Sequence, residues 1–396
     1  ILEKKKLPIL SWIQRKKILR GISGIYKIVP QKEWDYSINL QKIKPNIMVH
    51  GDDWKDKNSY DYQLRFKVLK ILKKIKCKLI EIPHTKDASN SLIYGKVKFS
   101  GVDSISRRNL LKRTLANKNF CRIIEAHSPL SALIAENAKH VEKDGSISEF
   151  DGFWSSSLTD STALGKPDNE SLSNSQRMLS IDQIFDVTTK PLIFDGDTGG
   201  QIDHLDMKIK SMERLGVSAV ILEDKTGLKQ NSLFKNTSNQ KQENRLKFGK
   251  KINIAKKAQR SEDFMVIARI ESFILGKGLN DALLRAKTYV DSGADGIMIH
   301  SKSNTPKEIF SFSKKFKKRY PKIPLVCVPS TYNQVKEKHL EDNGFNIVIY
   351  ANHMLRASYP AMRKVALEIL KNSRSKEANK YLHPIKDILN LIPGMN

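Results

Sequence analysis

The chain has 396 residues, of which 39% are hydrophobic, and it carries a formal net charge of +28. This length is sufficient for two or three domains with ordinary buried cores. The three cysteines are far apart, which argues against a disulfide framework or zinc knuckle and favours a reducing compartment. No apolar run approaches the roughly 18 residues of a membrane helix, and no secretory or lipidation pattern is present, so we expect a cytoplasmic protein with no membrane partner.

The positive charge is compatible with nucleic-acid binding, because Lys and Arg neutralise phosphate. However, the lysines are spread along the whole chain, and no zinc finger, RNA-binding aromatic strand or recognition helix stands out. We therefore do not expect nucleic acid to be the principal partner. A basic protein that binds anions or nucleic acid without catalysis stays open as the alternative from a different class.

The first hundred residues have the pattern of a small α/β domain. Helices are predicted over 13–19 and 63–74, and strands over 25–29, 47–50 and 79–82. Residues 96–118 are polar and basic. We therefore place a first domain at 1–98 and a linker at 99–119.

From about residue 120, apolar runs alternate with amphipathic stretches, which favours an α/β fold with a parallel sheet. Eight strands are predicted, over 122–127, 150–154, 191–195, 219–223, 265–269, 296–300, 325–329 and 347–351. Three of the intervening helices end at Gly216, Gly293 and Gly344, each of which can adopt the left-handed conformation that ends a helix. This pattern predicts a (β/α)8 TIM barrel for residues 120–396.

Acidic residues stand at the ends of two of these strands. Asp195 and Asp197 flank a glycine, so on an extended backbone both side chains face the same way. Two such carboxylates repel each other unless a cation lies between them, and Mg²⁺ with oxygen ligands is the simplest solution. Glu223 ends the next strand, and Asp168 lies in the loop after the second strand, so both belong to the same barrel mouth.

Cationic and aromatic residues end other strands of the predicted barrel. Arg269 and His300 end the fifth and sixth strands, where an arginine fork and a histidine suit a phosphoryl group. Trp154 precedes three serines and Leu158, whose turn offers backbone N–H groups to an oxyanion. Residues 225–234 include Gly227 and few apolar side chains, as expected of a mobile lid.

Seven short segments match a known family in order along the chain. They are Glu125-Ala-His, Gly152-Phe-Trp154-x-Ser156-x-Leu158, Asp195-Gly-Asp-Thr-Gly, Glu223-Asp-Lys-x-x-x-Lys229-x-Asn231-Ser232, Ala268-Arg269-Ile-Glu271, His300-Ser-Lys and Ala351-Asn352-His353-x-Leu-Arg356-Ala. With these segments the chain resembles the phosphoenolpyruvate mutase branch of the isocitrate lyase superfamily from about residue 120 to 392. The resemblance implies a barrel whose C-terminal helices are exchanged between subunits, giving homodimers or homotetramers.

The resemblance also implies a role for each site residue. Asp195 would be the direct Mg²⁺ ligand, and Asp168, Asp197 and Glu223 would hold the waters on the metal. Trp154, Ser156 and the backbone of Ser157 and Leu158 would bind the pyruvyl part of the substrate. Arg269, His300 and Asn231 would hold the phosphoryl group, while Lys229, Asn231 and Ser232 would lie on the gating loop.

The implied reaction is the interconversion of phosphoenolpyruvate and phosphonopyruvate, an isomerisation that forms the C–P bond in phosphonate biosynthesis. The nearest alternative is phosphonopyruvate hydrolase, and Asn231 favours the mutase because the hydrolase branch typically lacks that asparagine. A C–C lyase of the same superfamily needs a catalytic cysteine on the gating loop, and none lies between Asp224 and Phe234.

Two further features bear on the resemblance. The family usually continues Tyr-Gly-Asn after the Asp195 motif, whereas here Gly200-Gln201 follows and the loop is shorter by one residue. The N-terminal domain more faintly resembles the back half of a cytidylyltransferase-like domain, through Val49-His-Gly-Asp-Asp53-Trp. It lacks the H-x-G-H motif of that family, so we predict no nucleotidyl transfer.

Overall fold

The structure is a computed structural model that describes residues 12–31, 35–55, 57, 61–83, 102–142, 147–227, 229 and 240–391. The chain forms two compact units, one of residues 1–96 and 139–148 and the other of residues 97–138 and 149–396. No helix within the described ranges combines the length and the apolar character that crossing a bilayer requires.

The first unit is a small α/β structure. Within residues 12–83 its described helices and strands are α1 (Trp12–Arg20), α2 (Ser37–Ile43), β1 (Ile47–Gly51), α3 (Tyr62–Lys74) and β2 (Lys78–Ile82). The two strands are parallel, with Val49 opposite Ile80. The core includes Trp54 and Val68, both fully buried.

The strand predicted over 25–29 is wrong. These residues belong to no strand, and Tyr26 in their middle is fully exposed. An alternation of apolar side chains is not sufficient for a strand, because the backbone also needs a paired neighbour.

The remaining strands and helices belong to the second unit, except β4 and the first two residues of β5, which lie within residues 139–148 of the first unit. In chain order the strands are β3 (Cys121–Glu125), β4 (Lys139–Val141), β5 (Ile147–Glu149), β6 (Gly152–Ser155), β7 (Leu192–Asp195), β8 (Ala219–Glu223), β9 (Lys225–Thr226), β10 (Lys241–Gln242), β11 (Met265–Ile270), β12 (Gly296–Ile299), β13 (Leu325–Cys327) and β14 (Ile347–Tyr350). The helices are α4 (Ser104–Lys118), α5 (Pro129–Asn137), α6 (Ser157–Ala163), α7 (Asn174–Val187), α8 (Leu205–Leu215), α9 (Arg245–Ala258), α10 (Gly278–Asp291), α11 (Lys307–Arg319), α12 (Glu337–Asp342), α13 (His353–Asn372) and α14 (Ile385–Leu389).

Eight parallel strands close into a barrel in the order β3, β6, β7, β8, β11, β12, β13 and β14. This confirms the predicted (β/α)8 fold and all eight predicted strands. The strands are buried on both faces: Ile123 and Ile193 pack inside the barrel, whereas Ile124 and Phe194 pack against the helices. Both faces are apolar because helices cover the outside of a parallel barrel. The short pairs β4–β5 and β9–β10 lie outside the barrel sheet.

The predicted linker contains a helix of the second unit. Residues 104–118 form α4, and its fully buried Leu111 packs with the side chains inside the barrel. Arg107 of α4 donates to the carbonyl oxygen of Lys190 at 2.9 Å, just before β7. Ser218, just before β8, donates to the carbonyl oxygen of Arg107 at 2.8 Å. The helix therefore lies across the amino-terminal end of the barrel.

Glycines end the helices at the predicted positions. Gly216, Gly293 and Gly344 all have φ between 85° and 104°. A side chain at Gly216 would also come within 2.9 Å of the Cα atom of Ser104 in α4. Glycine is therefore required at Gly216 both by the backbone angle and by the close approach of α4.

Candidate active site

One cavity of about 70 Å³ opens at the carboxyl ends of the barrel strands. Its lining includes most of the residues predicted for the site: Trp154, Ser156, Ser157, Leu158, Asp168, Asp195, Glu223, Lys229, Arg269 and His300. Lys225, Ser330 and Asn352 also line it. Asn231 and Ser232 lie outside the described residues.

Asp195 ends β7 on one wall of this cavity. Its carboxylate accepts a hydrogen bond from the Ser157 hydroxyl at 3.0 Å, and its carbonyl oxygen accepts one from Arg177 at 2.5 Å. Burial raises the pKa of Asp195, but the charges of Lys229, Arg269 and Arg177 lower it further, so it lies below its usual value. Asp195 is therefore an anion at neutral pH.

Asp197 does not continue the extended backbone that the sequence suggested. Its φ is 50°, because the chain turns at Gly196 directly after the strand. Asp197 consequently faces a second cavity of about 120 Å³ behind the loop, while one of its oxygens still contacts the Lys229 ammonium. Burial and the nearby charge of Asp195 raise the pKa of Asp197. A left-handed, non-glycine residue is strained, and such strain is common at functional sites.

The Lys229 ammonium lies among the acidic residues. It donates to Asp168 at 2.6 Å and also contacts Asp197 and the Ser157 hydroxyl. Burial lowers the pKa of Lys229, but Asp197, Asp195 and Asp168 raise it well above its usual value. The acidic wall is therefore partly neutralised by a fixed cation.

The opposite wall is a cluster of ionisable side chains at the carboxyl ends of β8, β11 and β12. Arg269 donates to Glu271 at 2.6 Å and lies 3.3 Å from Glu223 and 2.9 Å from the Nδ1 atom of His300. Lys225 lies 3.3 Å from Glu223 and 3.6 Å from Glu271. These contacts fix the orientation of the Arg269 guanidinium, as binding of a phosphoryl group requires.

Burial sets the charges of this wall. It raises the pKa of Glu223 to about 7, although Arg269 and Lys225 act in the opposite direction. Burial and then Arg269 lower the pKa of His300, so its ring is neutral at neutral pH. The pKa of Glu271 lies well below its usual value, because Arg269 and His300 outweigh its burial. The wall therefore combines a permanent cation with a neutral histidine.

The donor set fits a magnesium ion that keeps most of its waters. Among the described residues, no group of three or more His, Cys, Asp or Glu side chains could hold a metal ion alone. Mg²⁺ often binds through one or two carboxylates and several waters, so a single direct ligand such as Asp195 is sufficient. The buried Oε1 atom of Glu223 lies 3.3 Å from the Lys225 ammonium, so this carboxylate faces the cavity with a cation beside it.

Sequence reasoning did not assign a role to several residues of the site. Arg177 and Asp160 form a buried ion pair at 2.9 Å, and Arg177 also donates a hydrogen bond to the backbone carbonyl at the end of β7. Neither follows a predicted strand, so nothing marked them in the sequence. Lys225 and Glu271 follow strands within quoted motifs, and their position was a usable signal.

Comparisons with known proteins agree with this geometry. The family model described as phosphoenolpyruvate phosphomutase matches residues 111–370. Phosphoenolpyruvate phosphomutase of Tetrahymena pyriformis is 35% identical over 73% of this chain and 92% of its own.

Two solved structures are similar in fold and sequence. Phosphoenolpyruvate phosphomutase of Streptomyces platensis subsp. rosaceus has a TM-score of 0.66 and 33% identity, covering 73% of this chain and 95% of that one. Phosphonopyruvate hydrolase in complex with oxalate and Mg²⁺ has a TM-score of 0.63 and 33% identity, covering 72% and 94%. The chain belongs to the phosphoenolpyruvate phosphomutase family.

Proposed function

We propose that the protein is an isomerase that interconverts phosphoenolpyruvate and phosphonopyruvate. The observation that carries this proposal is the single cavity in which the carboxylate of Asp195 faces Arg269 and His300. A substrate with a carboxylate at one end and a phosphoryl group at the other matches these two walls. The relatives named as mutases support the same reaction.

In this reaction the phosphoryl group leaves the enol oxygen, and its phosphorus forms a bond to the methylene carbon of the resulting pyruvate enolate. Atoms and charge balance without a further reactant. Phosphoryl transfer of this loose kind depends on positioning and charge stabilisation. Arg269, fixed by Glu271 and Glu223, would hold the phosphoryl oxygens, with His300 beside it. The turn at Ser156 and Ser157, together with Trp154, would hold the pyruvyl part.

We also propose that Asp195 binds Mg²⁺ directly and that Asp168, Asp197 and Glu223 hold its waters. A bound Mg²⁺ would supply the positive charge that stabilises an enolate oxygen and orients the substrate carboxylate. The solved structure of a phosphonopyruvate hydrolase in complex with oxalate and Mg²⁺ supports the use of this metal. Lys229 would balance the remaining negative charge of the acidic wall.

Phosphonopyruvate hydrolase is the second candidate, because a hydrolase structure is as similar in sequence as the mutase structure. The experiment is to incubate the purified protein with phosphonopyruvate and Mg²⁺ and to follow the products by phosphorus NMR. Phosphoenolpyruvate as the product supports the mutase. Inorganic phosphate together with pyruvate would replace it with the hydrolase, and Asn231→Ala should then leave the product unchanged.

We further propose that the barrel forms homodimers or homotetramers by exchange of its C-terminal helices. The support is that α13 and α14 contain no buried residue although both carry large apolar side chains. Assembly with a second copy would remove this surface from water.

For the first unit we keep the proposal of a partial cytidylyltransferase-like domain over residues 1–98 that transfers no nucleotide. Its parallel β1–β2 pair supports an α/β class. Incubation with CTP and phosphonopyruvate, followed by phosphorus NMR, would test it, and release of pyrophosphate would overturn it. We also propose a cytoplasmic location, supported by the three unpaired, buried cysteines.

A further inference from the structure

Three aspartates join neighbouring barrel strands, each through one hydrogen bond from its backbone N–H and one accepted by its carboxylate. The backbone N–H of Asp151 donates to the Arg122 carbonyl at 2.7 Å, and its carboxylate accepts the Arg122 N–H at 2.9 Å. Asp295 makes both bonds with Val266, each at 2.8 Å. Asp224 makes them across β11, donating to the Arg269 carbonyl at 3.1 Å and accepting the Glu271 N–H at 2.9 Å.

The three bridges lie at opposite ends of the barrel. Asp151 and Asp295 precede β6 and β12, at the amino-terminal end, and each pairs with a lysine, Lys118 or Lys256. Asp224 follows β8, at the end that carries the cavity. In barrels of this class the amino-terminal end serves stability and the carboxyl-terminal end serves chemistry. The same local structure therefore has different consequences at the two ends.

The carboxylate of Asp224 has more hydrogen-bond partners than those of Asp151 and Asp295. The residue is fully buried, and its carboxylate also accepts hydrogen bonds from Tyr289 at 2.7 Å, Gln242 at 3.0 Å and Arg285 at 3.1 Å. Tyr289 and Arg285 belong to α10, and Gln242 belongs to β10. One carboxylate thus ties the ends of β8 and β11 to a helix and to the β9–β10 pair.

The residues on either side of Asp224 point into the cavity. Glu223 and Lys225 both line it, as expected from side-chain alternation when Asp224 points outward. Glu223 contacts Arg269 at 3.3 Å, and Lys225 contacts Glu271 at 3.6 Å. The spacing between these side chains follows from the two hydrogen bonds of Asp224, one from its backbone N–H to the Arg269 carbonyl and one from the Glu271 N–H to its carboxylate.

We propose that Asp224 is a positioning residue that fixes its two neighbours, Glu223 and Lys225, against Arg269 and Glu271 at the end of β11. The inference rests on the proposed function, because it assigns these side chains to the two ends of the substrate. It implies that displacing the Asp224 carboxylate misaligns the metal-facing and phosphoryl-facing groups together, without removing any group that touches the substrate.

The test compares Asp224→Asn with Asp295→Asn, which breaks the equivalent bridge at the far end of the barrel. An amide at 224 turns an NH2 group toward donors that need an acceptor. We expect Asp224→Asn to lower kcat/KM for phosphonopyruvate by about 10- to 100-fold, because small misplacements have effects of this size. Asp295→Asn should lower the thermal midpoint but change kcat/KM by less than about twofold.

A binding measurement separates this inference from the proposed function. The affinity for oxalate in the presence of Mg²⁺, measured by calorimetry, should fall for Asp224→Asn and not for Asp295→Asn. If the wild-type protein binds oxalate but converts no phosphonopyruvate, the mutase proposal fails while the comparison of affinities still decides the role of Asp224. Absence of oxalate binding by the wild type would overturn both.

Milder variants cover the case in which Asp224→Asn does not fold. Tyr289→Phe and Gln242→Leu each remove one donor, and Arg285→Lys keeps the cation that Arg285→Met removes. We expect Arg285→Lys to retain more turnover than Arg285→Met, with the loss in kcat rather than in thermal midpoint alone. Equal kinetic effects of Asp224→Asn and Asp295→Asn, or wild-type kinetics in all the milder variants, would overturn the proposal.

Discussion

The carboxylate of Asp195 is surrounded by positive charge. Lys229, Arg269 and Arg177 together overcome the effect of burial and keep its pKa low. An ionised oxygen at the end of a strand, with a serine hydroxyl as its neutral partner, suits a magnesium ion. Attraction to the same three cations offsets the desolvation free energy of burying this charge.

Asp195→Asn keeps the shape of the side chain and removes its charge. We expect Mg²⁺-dependent turnover to fall by at least about 100-fold, because such electrostatic groups contribute effects of this size. Turnover of phosphonopyruvate and thermal unfolding should be measured together, with Asp206→Asn, a half-buried aspartate on α8 outside the cavity, as the control. Substantial turnover by a folded Asp195→Asn protein would contradict its role as a metal ligand.

The pH dependence of stability should report Glu223. Its pKa is raised from 4.5 to about 7, chiefly by burial. Between these values the folded protein holds a proton that the unfolded chain has released, so stability falls as the pH rises. The contribution of this group is fully present below pH 4.5 and is lost above about pH 7, with a slope of at most about 1.4 kcal/mol per pH unit.

The measurement is denaturant unfolding of the metal-free protein across this pH range, for the wild type and for Glu223→Gln. The variant cannot titrate at this position, so the difference between the two stability curves isolates the glutamate. We expect that difference to change steadily between about pH 5 and about pH 7. A difference that is constant with pH would show that Glu223 titrates normally.

The sequence predicted the side chains that end strands, because a strand end in a parallel barrel has a defined direction. Asp195, Glu223, Arg269 and His300 come together for that reason. It could not predict the turn at Asp197, since two aspartates around a glycine do not specify the backbone angle at the second. The buried pair of Asp160 and Arg177 was missed because the two residues lie in the helices α6 and α7 and not at the end of a strand.

At the level of elements, buried strands were the most predictable part of the chain. A continuous apolar run flanked by glycine or charge is required when both faces of a strand are covered. The helix α4 was missed because its sequence, Ser104 to Lys118, is rich in Lys and Arg and buries few side chains. Composition alone cannot distinguish a polar linker from a helix that covers the end of a barrel.

The attachment of α13 to the barrel offers a test at this scale. Glu125, fully buried at the end of β3, accepts hydrogen bonds from the Met354 and Leu355 N–H groups at 2.9 and 3.2 Å. A carboxylate at a helix N-terminus is stabilised by these donors and by the helix dipole. We expect Glu125→Gln to destabilise the protein by about 1–3 kcal/mol and to speed amide exchange in the first turn of α13.

Glu377→Gln is the matched control, because Glu377 forms an ion pair with Arg374 near the surface. Such pairs contribute about 0–1 kcal/mol, so the control should change unfolding little. Amide exchange of the first α13 turn at the wild-type rate in Glu125→Gln would show that the carboxylate does not hold the helix.

At the scale of the whole molecule, the barrel leaves an apolar stripe along α13. Tyr359, Met362, Ala366 and Leu370 recur at helical spacing, and the three large side chains among them are 64–76% exposed. A stripe of this kind is typical of a helix that packs against another surface. The short helix α14 also carries an exposed apolar side chain, Ile385, which is 78% exposed.

If a second copy of the chain covers this stripe, charged residues introduced into the stripe should separate the subunits. Met362→Glu combined with Leu370→Glu should shift the mass measured by light scattering from an oligomer to a monomer. The matched control is Leu179→Glu on α7, whose leucine is 61% exposed but lies outside the stripe. Because α13 follows directly from Asn352 at the cavity, the monomeric variant should also lose turnover. A wild-type protein that is already monomeric, or an oligomer that survives both charges, would contradict assembly through α13.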